Sequence, residues 1–504
     1  MYSFLGGLAL LILGYIIYGG IVSKIFGPDD RKTPCVEHPD GVDFVPISAG
    51  RAFLIQLLNI AGLGPIFGAL SGAIWGPQVY LWIVLGTIFA GAVHDYLVGM
   101  LSIRNDGASV SEITGKYLGG FMLQIMRVFS VVLLVMVGVV FMVGPAGLLA
   151  KLFVEGTSAV SGAAAKATTL WGYSVGEWTK ILTIVILIYY FLATLLPIDK
   201  IIGKIYPLFG ICLIFMAIGI GGVTVMNHLN GTKPMIELWE GLYNMHPDAA
   251  NQPIWPLMFI TVACGAISGF HATQSPMMAR CLTSERQGRF VFYGAMVAEG
   301  IIALIWASAG IAFYNTGVGG EFSTAALAAI KGGNSNSVYE ISIGLLGPVG
   351  SILAILGVVA CPITSGDTAF RSARLTIADW FKIDQKGFAP RLLLAVPLLA
   401  AGYFISLADY TIVWRYFSWS NQTLAMIALW AGAVYLCRNV GSGHGFIAAI
   451  PATFMSAVSI TYFCIAPECY LMLDRNLSYG IGIAAAVLFF VIYYVRVYAP
   501  EKNK

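Results

Sequence analysis

The segment 253–280 is apolar at both ends, yet its middle is polar and rich in small residues. Residues 264–276 contain two glycines, a histidine, three hydroxyl side chains, a glutamine and a proline. Backbone that leaves the helix at membrane depth is tolerated only where protein or a water-filled cavity satisfies its polar groups. The pattern therefore predicts a broken membrane helix that lines a buried binding site.

A second interrupted span lies at 51–75, where Gly62, Gly64 and Pro65 fall inside an apolar run. If residues 1–26 form an extra helix, the two interrupted spans become helices one and six of a core of ten. Five helices per half is an odd number, so the halves enter the membrane with opposite orientations, as in LeuT-like inverted repeats. We expect the first repeat at 47–226, the second at 253–436, and C-terminal helices with a tail at 444–504. Two unrelated kinks remain the alternative.

Composition places the whole chain in a membrane. Of its 504 residues 58% are hydrophobic and 11% are charged, and the mean hydropathy is +0.82. Soluble domains are about a quarter charged. We therefore predict an all-α polytopic protein with about 13 transmembrane helices of about 20 residues. The predicted spans are 2–24, 51–75, 78–102, 120–150, 179–197, 203–226, 253–280, 289–314, 344–375, 391–407, 410–436, 444–466 and 478–498.

Basic residues predict the orientation, because cytoplasmic loops carry an excess of Lys and Arg. With the N-terminus outside and the C-terminus in the cytoplasm, 21 of the 28 basic residues fall on the cytoplasmic side. The other seven are Lys151, Lys166, Lys180, Lys233, Lys331, Arg415 and Arg475. One miscounted span would scramble this asymmetry, so it supports both the count and the orientation. We expect a multi-pass location in the plasma (inner) membrane.

Several functional classes lack their motifs. The chain has no nucleotide-binding loop, zinc motif or hydrolase elbow, and its eight cysteines form no CxxC pair. These absences argue against an ATP-driven pump and a membrane-embedded protease. We expect no enzymatic activity, no cofactor and no nucleic-acid partner. Cys464 and Cys469 flank Pro467 in a predicted outer loop, where a disulfide or two free thiols are both open. The predicted outer loops 151–178, 227–252 and 315–343 fit either short interfacial helices or lids.

Six stretches resemble the carbon starvation protein A (CstA) family, which includes pyruvate–proton symporters and proteins implicated in peptide uptake. They are residues 38–46, 62–68, 90–96, 102–109, 264–272 and 420–425. Their order and spacing run across most of the chain. The resemblance implies import of a small solute and a link to carbon starvation.

The substrate-binding candidates surround the two interruptions. Half-helix N-termini suit a carboxylate, whereas unwound carbonyls suit a cation. The candidates are Gly62, Gly64, Pro65, Ser268, Gly269, His271, Thr273, Asn421 and Gln422. Local helix capping remains the alternative for the hydroxyls, and helix–helix hydrogen bonding for the two amides.

Three ionisable residues are candidates for proton coupling. His271 lies in the interruption, and histidine gains and loses a proton near physiological pH. Glu299 sits about 15 Å into its span, where an acid is costly and therefore a functional hypothesis. Asp95 lies above the cytoplasmic end of 78–102, and we expect it either to accept protons or to pair with a loop arginine such as Arg104.

A sodium site is a second coupling hypothesis. Thr364, Ser365 and Asp367 lie in the eighth core helix, and their oxygens suit a hard cation together with carbonyls near Ala61 and Gly62. Asp367 and Arg371 stand four residues apart, however, and such a pair also forms a simple ion pair.

These observations predict a secondary active transporter that imports a small carboxylate, pyruvate first, by proton symport. The alternatives are sodium coupling, a short-peptide importer, or a ligand-binding membrane sensor or accessory subunit. Oligomeric state is not readable from the sequence.

Overall fold

The computed structural model describes residues 1–40, 43–156, 167–195, 199–262, 264–315, 327, 330, 334–385 and 387–504. Within these ranges the chain is almost entirely helical. The long helices are Tyr2–Phe26, Val79–Arg104, Gly120–Val154, Val175–Leu195, Asp199–Leu229, Glu285–Tyr314, Asn334–Phe381, Phe388–Ser406, Tyr410–Asn439, Ser442–Ile465 and Arg475–Lys502. Asn334–Phe381 is interrupted by a kink at Gly347, whose φ is 67°. Short helices cover Pro34–Glu37, Val110–Leu118, Leu238–Glu240 and Pro467–Cys469.

The predicted interruption of the first core helix is confirmed. The helix Ala49–Ile60 ends at Ala61, whose backbone leaves the helical region, and a second helix Gly64–Ala73 continues at an angle of 52°. Pro65 occupies the first turn of the second half, where its missing N–H costs no hydrogen bond. We call these two pieces the first broken helix.

The second interruption is wider. Two short helical pieces, Ile254–Met258 and Phe259–Thr261, are followed by non-helical backbone, and the helix Gly269–Ala279 begins after Ser268. Cys264 adopts a positive φ of 76°, which is unusual for a residue with a side chain. We call 254–261 and Gly269–Ala279 together the second broken helix. Its second half packs against Val79–Arg104, Tyr410–Asn439 and Ala49–Ile60.

The structure gives ten helices that are long and apolar enough to cross a membrane, or eleven with the first broken helix, among the described residues. The prediction of about 13 also counts the second broken helix and the helix Tyr410–Asn439. The latter is 30 residues long, but its buried surface carries a polar run that includes Ser418, Asn421 and Gln422. It is surrounded by protein, so it does not need the apolarity of a lipid-facing span.

The first helix is tied to the loop after Asp199–Leu229. Glu237 accepts hydrogen bonds from the amino group of Met1 at 2.6 Å, from the backbone N–H of Tyr2 at 2.9 Å, and from Ser3. Burial alone would raise the pKa of Glu237, but these donors hold its pKa at about 2. The carboxylate therefore anchors the start of Tyr2–Phe26 at neutral pH.

The predicted outer loops differ in what they form. Residues Thr169–Leu170 and Tyr173–Ser174 make a two-stranded antiparallel hairpin, an exception to the all-helical expectation. The loop 227–252 contains the short helix Leu238–Glu240. Most of the stretch 316–333 lies outside the described residues, so the prediction for that loop is open. Cys464 and Cys469 are free thiols.

Candidate functional site

Three helices bring one ionisable side chain each to the second interruption. The ring of His271 lies between two carboxylates: its Nδ1 is 2.8 Å from Oδ2 of Asp95, and its Nε2 is 3.2 Å from Oε2 of Glu299. His94 approaches the other oxygen of Asp95, with its Nδ1 2.8 Å from Oδ1. We call Asp95, His271 and Glu299 the buried triad.

The predicted pairing of Asp95 with Arg104 was wrong. Arg104 does not reach this carboxylate; it contacts Glu285 at 3.0 Å through Nε and donates to Tyr435 and to the carbonyl oxygen of Gly27. Asp95 points inward instead, to His94 and His271. The helix direction explains the difference, because Asp95 stands more than two turns from Arg104 along Val79–Arg104 and faces the second broken helix.

The triad has no contact with solvent in this conformation. The side chains of Asp95, His271 and Glu299 all have zero exposed surface. The Glu299–His271 contact is close enough for an ion pair but is not aligned as a hydrogen bond, so Nε2 and both oxygens of Glu299 lack a hydrogen-bond partner among the described residues. Buried polar atoms without partners are costly and rare. A protein retains such atoms where the group has to release a proton or bind a ligand.

Cys264 and His94 were missed as candidates by the sequence analysis. Cys264 Sγ lies 3.2 Å from Ser268 Oγ and groups with His271 and Glu299 so that their ligand atoms are all within 4.8 Å of one another. His94 precedes Asp95 directly in the chain. His94 could have been found from the sequence, because an adjacent histidine and acid are unusual inside an apolar span. For Cys264 the sequence offered only its position at the start of the interruption.

Asn421 caps the second half of the second broken helix. Its Oδ1 accepts hydrogen bonds from the N–H of Phe270 at 2.7 Å and from Ser268 Oγ at 3.1 Å. The first N–H groups of a helix lack intrahelical partners, and side-chain oxygens commonly satisfy them. This contact is the helix–helix hydrogen bond left open for Asn421. Binding of substrate by Asn421 and Ser268 stays a prediction.

Gln422 covers the opposite end of the interruption. Its Nε2 donates to the carbonyl oxygens of Phe259 and Val262, each at 3.5 Å, where the first half of the second broken helix ends. Two successive amides of Tyr410–Asn439 thus satisfy both frayed helix ends. These hydrogen bonds stabilise the interrupted conformation relative to a continuous helix.

Glycine is required at position 269 by close packing. A Cβ there would lie 2.3 Å from the backbone oxygen of Asn421 and 2.8 Å from the backbone nitrogen of Ala425. Backbone atoms cannot move aside cheaply. Gly269 therefore allows the second broken helix to approach Tyr410–Asn439 closely enough for the Asn421 cap.

The other predicted substrate contacts lie around the triad. Thr273 donates its hydroxyl to the carbonyl oxygen of Phe270 at 2.6 Å, which is a local helix contact. Gly62, Gly64 and Pro65 form the first interruption, and Gly62 packs against the ring of Phe141. Pro65 backs onto Gly265, which places the two interruptions side by side.

The predicted sodium residues are only partly arranged for a cation. Ser365 donates toward the carbonyl oxygens of Asn59 at 3.0 Å and Cys361 at 2.9 Å, so it does meet the end of the first half of the first broken helix. Thr364 bonds back to its own helix, and Asp367 lies 3.5 Å from Arg371. The ion-pair alternative for Asp367 is therefore present, and sodium binding stays a prediction.

A cavity of about 340 Å³ lies between the two broken helices on the predicted outer side. Its walls include Ser71 and Trp75 from the first broken helix, Thr261 from the second, and Trp414 from Tyr410–Asn439. Arg415 also lines it, with Nη1 3.6 Å from Glu468. The cavity combines apolar and aromatic walls with polar side chains such as His246, Asn251 and Gln252.

Comparison with known proteins supports a transporter. The profile of the family Carbon starvation protein CstA matches residues 1–165, 147–316 and 323–462. An "Uncharacterized membrane protein" of Haemophilus influenzae is 46% identical over 331 residues, which cover 60% of this chain and 89% of that protein. "Peptide transporter CstA" of Bacillus subtilis is 28% identical over 516 residues, covering 86% of this chain and 85% of the relative.

A relative with a different named substrate also matches. "Pyruvate/proton symporter BtsT" of Escherichia coli is 27% identical over 350 residues, which cover 58% of this chain and 46% of the symporter. Among solved structures, MhsT in complex with L-phenylalanine superposes with a TM-score of 0.53 at 14% identity, covering 85% of this chain and 98% of MhsT. That likeness shows a LeuT-like fold. The chain belongs to the carbon starvation protein CstA family of membrane transporters.

Proposed function

We propose that the protein imports a small carboxylate, pyruvate first, together with protons across the plasma (inner) membrane. The observation that carries this proposal is the buried triad, in which His271 bridges Asp95 and Glu299 beside a helix interruption. Ionisable residues inside a membrane protein mark ion or substrate pathways by default. In the proposed orientation the N-terminus is outside and the C-terminus is cytoplasmic.

The triad suits a proton that is held and released in turn. Asp95 fixes the ring of His271 through Nδ1, which leaves Nε2 facing Glu299 at 3.2 Å. One proton shared by Nε2 and the Glu299 carboxylate makes this pair less negative. Its release toward the cytoplasm restores the charge, and the two states of the pair bias the helices toward opposite openings.

The substrate carboxylate is proposed to lie at the N-terminal end of Gly269–Ala279. A helix N-terminus carries about half a positive charge, which attracts an anion to the first-turn N–H groups other than that of Phe270, which Asn421 already caps. The outer cavity is lined by Leu257 and Thr261 from the first half of the second broken helix, and we propose it as the outer entrance. Rocking of one helix set against the other then opens the site alternately to each side of the membrane.

Two named relatives support different substrates. The Escherichia coli symporter carries pyruvate in its name, whereas the Bacillus subtilis relative is named for peptides. The cavity volume of about 340 Å³ lies within the usual range for small-molecule sites and accommodates either solute. A short-peptide importer is the second proposal, and a role in carbon starvation follows from the family rather than from the site.

Uptake by purified protein in liposomes tests the proposal. We expect labelled pyruvate to accumulate when the outside is made more acidic than the lumen, and accumulation to collapse with a protonophore. Inhibition by dipeptides with no pyruvate accumulation would favour the peptide proposal. Saturable binding without accumulation of either solute would contradict transport and support a sensor.

The sodium alternative is separated in the same liposomes. A sodium gradient at equal pH on both sides should drive no accumulation if protons alone couple. Accumulation under that gradient would transfer coupling to the site predicted at Thr364, Ser365 and Asp367. Replacement of Ser365 by Ala would then have to remove the sodium response.

A further inference from the structure

Cys264 joins two members of the triad in an arrangement that proton transfer does not explain. The ligand atoms of Cys264, His271 and Glu299 all lie within 4.8 Å of one another, and all three side chains are fully buried. We propose that these three residues form a binding site for a divalent transition metal of zinc-like character. The inference concerns metal binding itself and does not depend on the proposed transport activity.

The donor set selects the class of metal. One thiolate sulfur, one imidazole nitrogen and one carboxylate oxygen are the ligand types of Zn²⁺ and of Co²⁺ that replaces it. Hard cations such as Mg²⁺ and Ca²⁺ prefer sites built from oxygen alone. Three protein ligands also leave a fourth tetrahedral position for water or for an anion.

The separation of the ligand atoms is close to what a tetrahedral ion needs. Zinc bonds of about 2.0–2.3 Å place neighbouring ligand atoms about 3.5 Å apart. His271 Nε2 and Glu299 Oε2 already stand 3.2 Å apart. All three ligand atoms lie within 4.8 Å of one another, and Cys264 sits in non-helical backbone, so a small adjustment brings the set to tetrahedral spacing.

Unpartnered atoms are aimed at the same point. Among the described residues, neither His271 Nε2 nor either oxygen of Glu299 makes a hydrogen bond, although all are buried. Metal coordination satisfies such atoms in the same way that a hydrogen bond does. A metal would therefore take the place of the proton that Nε2 and the Glu299 carboxylate are proposed to share.

Asp95 contacts the ring nitrogen of His271 that does not face the proposed metal, as a carboxylate commonly does at histidine metal ligands. It contacts Nδ1 of His271 at 2.8 Å, opposite the proposed metal-binding nitrogen. A carboxylate on the second ring nitrogen fixes the tautomer and makes the first a better ligand. Asp95 is thus a positioning residue for this site, and His94 in turn holds Asp95.

Metal binding displaces protons from the ligands. The thiol proton of Cys264 and any proton on Nε2 of His271 or on Glu299 leave as the bonds to the metal form. Protons and the metal therefore compete for the same atoms. The ligands are closed off in this conformation, so the metal enters when the broken helices separate from Tyr410–Asn439.

Cobalt spectroscopy of the full chain in detergent tests the site directly. We expect Co²⁺ to bind with saturation, to produce a thiolate-to-cobalt charge-transfer band, and to be displaced by Zn²⁺. Cys264→Ser should abolish the band. Glu299→Gln should keep the sulfur band but weaken Zn²⁺ binding, and Asp95→Asn should weaken it by about 10–100-fold.

Cys437→Ser is the matched control, because Cys437 is also a buried free thiol on a neighbouring helix. It should change neither the band nor the affinity. The proposal is overturned if the native protein gives no saturable band, or if the band survives Cys264→Ser. Because the readout is binding, such a failure leaves the pyruvate–proton proposal standing.

Discussion

At the scale of single residues, His271 is the side chain on which the proposed chemistry converges. It contacts a carboxylate through each ring nitrogen, and both carboxylates come from other helices. Any change in its protonation alters the forces between Val79–Arg104, Gly269–Ala279 and Glu285–Tyr314 together. A histidine in this position links a proton to the relative placement of three helices.

Replacement of His271 by Asn should separate this role from simple packing. Asn still offers a donor to Asp95 but cannot hold a proton toward Glu299. We expect pyruvate uptake driven by a pH gradient to fall at least about tenfold, which corresponds to about 1.4 kcal/mol in the barrier. Initial uptake rates in liposomes with matched protein content measure the effect.

His94→Asn provides the control for that substitution. His94 is also buried and contacts the same carboxylate, but through the other oxygen of Asp95 and not through Glu299. It should retain most gradient-driven uptake. Equal losses in both variants would mean that the histidines only hold Asp95 in place.

The sequence was informative about residues whose presence in a membrane is costly. His271, Glu299 and Asp95 stand in apolar surroundings, where ionisable residues are rare, and they were therefore named as candidates for proton coupling. Their partners were not predictable, because Asp95 and His271 are 176 positions apart and meet only through tertiary packing. For the same reason Cys264 looked like an ordinary small hydrophobic residue.

At the scale of elements, the second broken helix is held open by its neighbour Tyr410–Asn439. Asn421 caps one end of the interruption, and Gln422 covers the other. Gly269 permits the close approach that both contacts need. The interruption is therefore stabilised by contacts with a second helix and is not an isolated kink.

Gly269→Ala should disrupt this packing. The new methyl group would collide with the backbone of Asn421 and Ala425, and overpacking of this kind costs about 1–3 kcal/mol or more. We expect a lower apparent melting temperature and a lower yield of monodisperse protein in detergent. Both are measured by size-exclusion chromatography after heating.

Gly222→Ala is the matched control, because a Cβ at Gly222 meets no atom within 4 Å. Alanine is the better helix former by about 1 kcal/mol, so stability should be unchanged or slightly higher. A Gly269→Ala variant as stable as Gly222→Ala would contradict the close packing described here.

The tether of the first helix predicts a defined pH response. The folded pKa of Glu237 is about 2, below its ordinary value of 4.5, so its stabilising contribution is complete above about pH 4.5 and is lost as pH falls toward 2. Glu237→Gln should lower stability by about 2 kcal/mol. Thermal unfolding should show the same deficit at pH 7 and at pH 5.

Glu501→Gln in the exposed C-terminal turn is the control for Glu237→Gln and should leave the unfolding temperature unchanged. A deficit of the Glu237 variant that disappears between pH 7 and pH 5 would contradict the low pKa. It would mean that Glu237 is already protonated there in the folded protein.

At the scale of the whole molecule, the family is one of membrane transporters and the fold is LeuT-like. The LeuT-like fold was predictable because hydropathy, Gly/Pro interruptions and their five-helix separation are all properties of the linear sequence. The span predicted at 410–436 also forms the helix Tyr410–Asn439, although its polar residues keep it below the hydropathy of a lipid-facing span.

The central claim is that the buried triad couples protons to substrate. Glu299→Gln tests it most directly, because glutamine keeps the shape of the side chain but cannot take up a proton. Liposomes with a trapped pH indicator report pyruvate-driven proton influx, and labelled pyruvate exchange at equal pH reports counterflow. We predict that the variant retains counterflow and loses both proton influx and gradient-driven accumulation. Proton influx equal to that of the native protein, or an equal loss of counterflow and accumulation, would contradict the account.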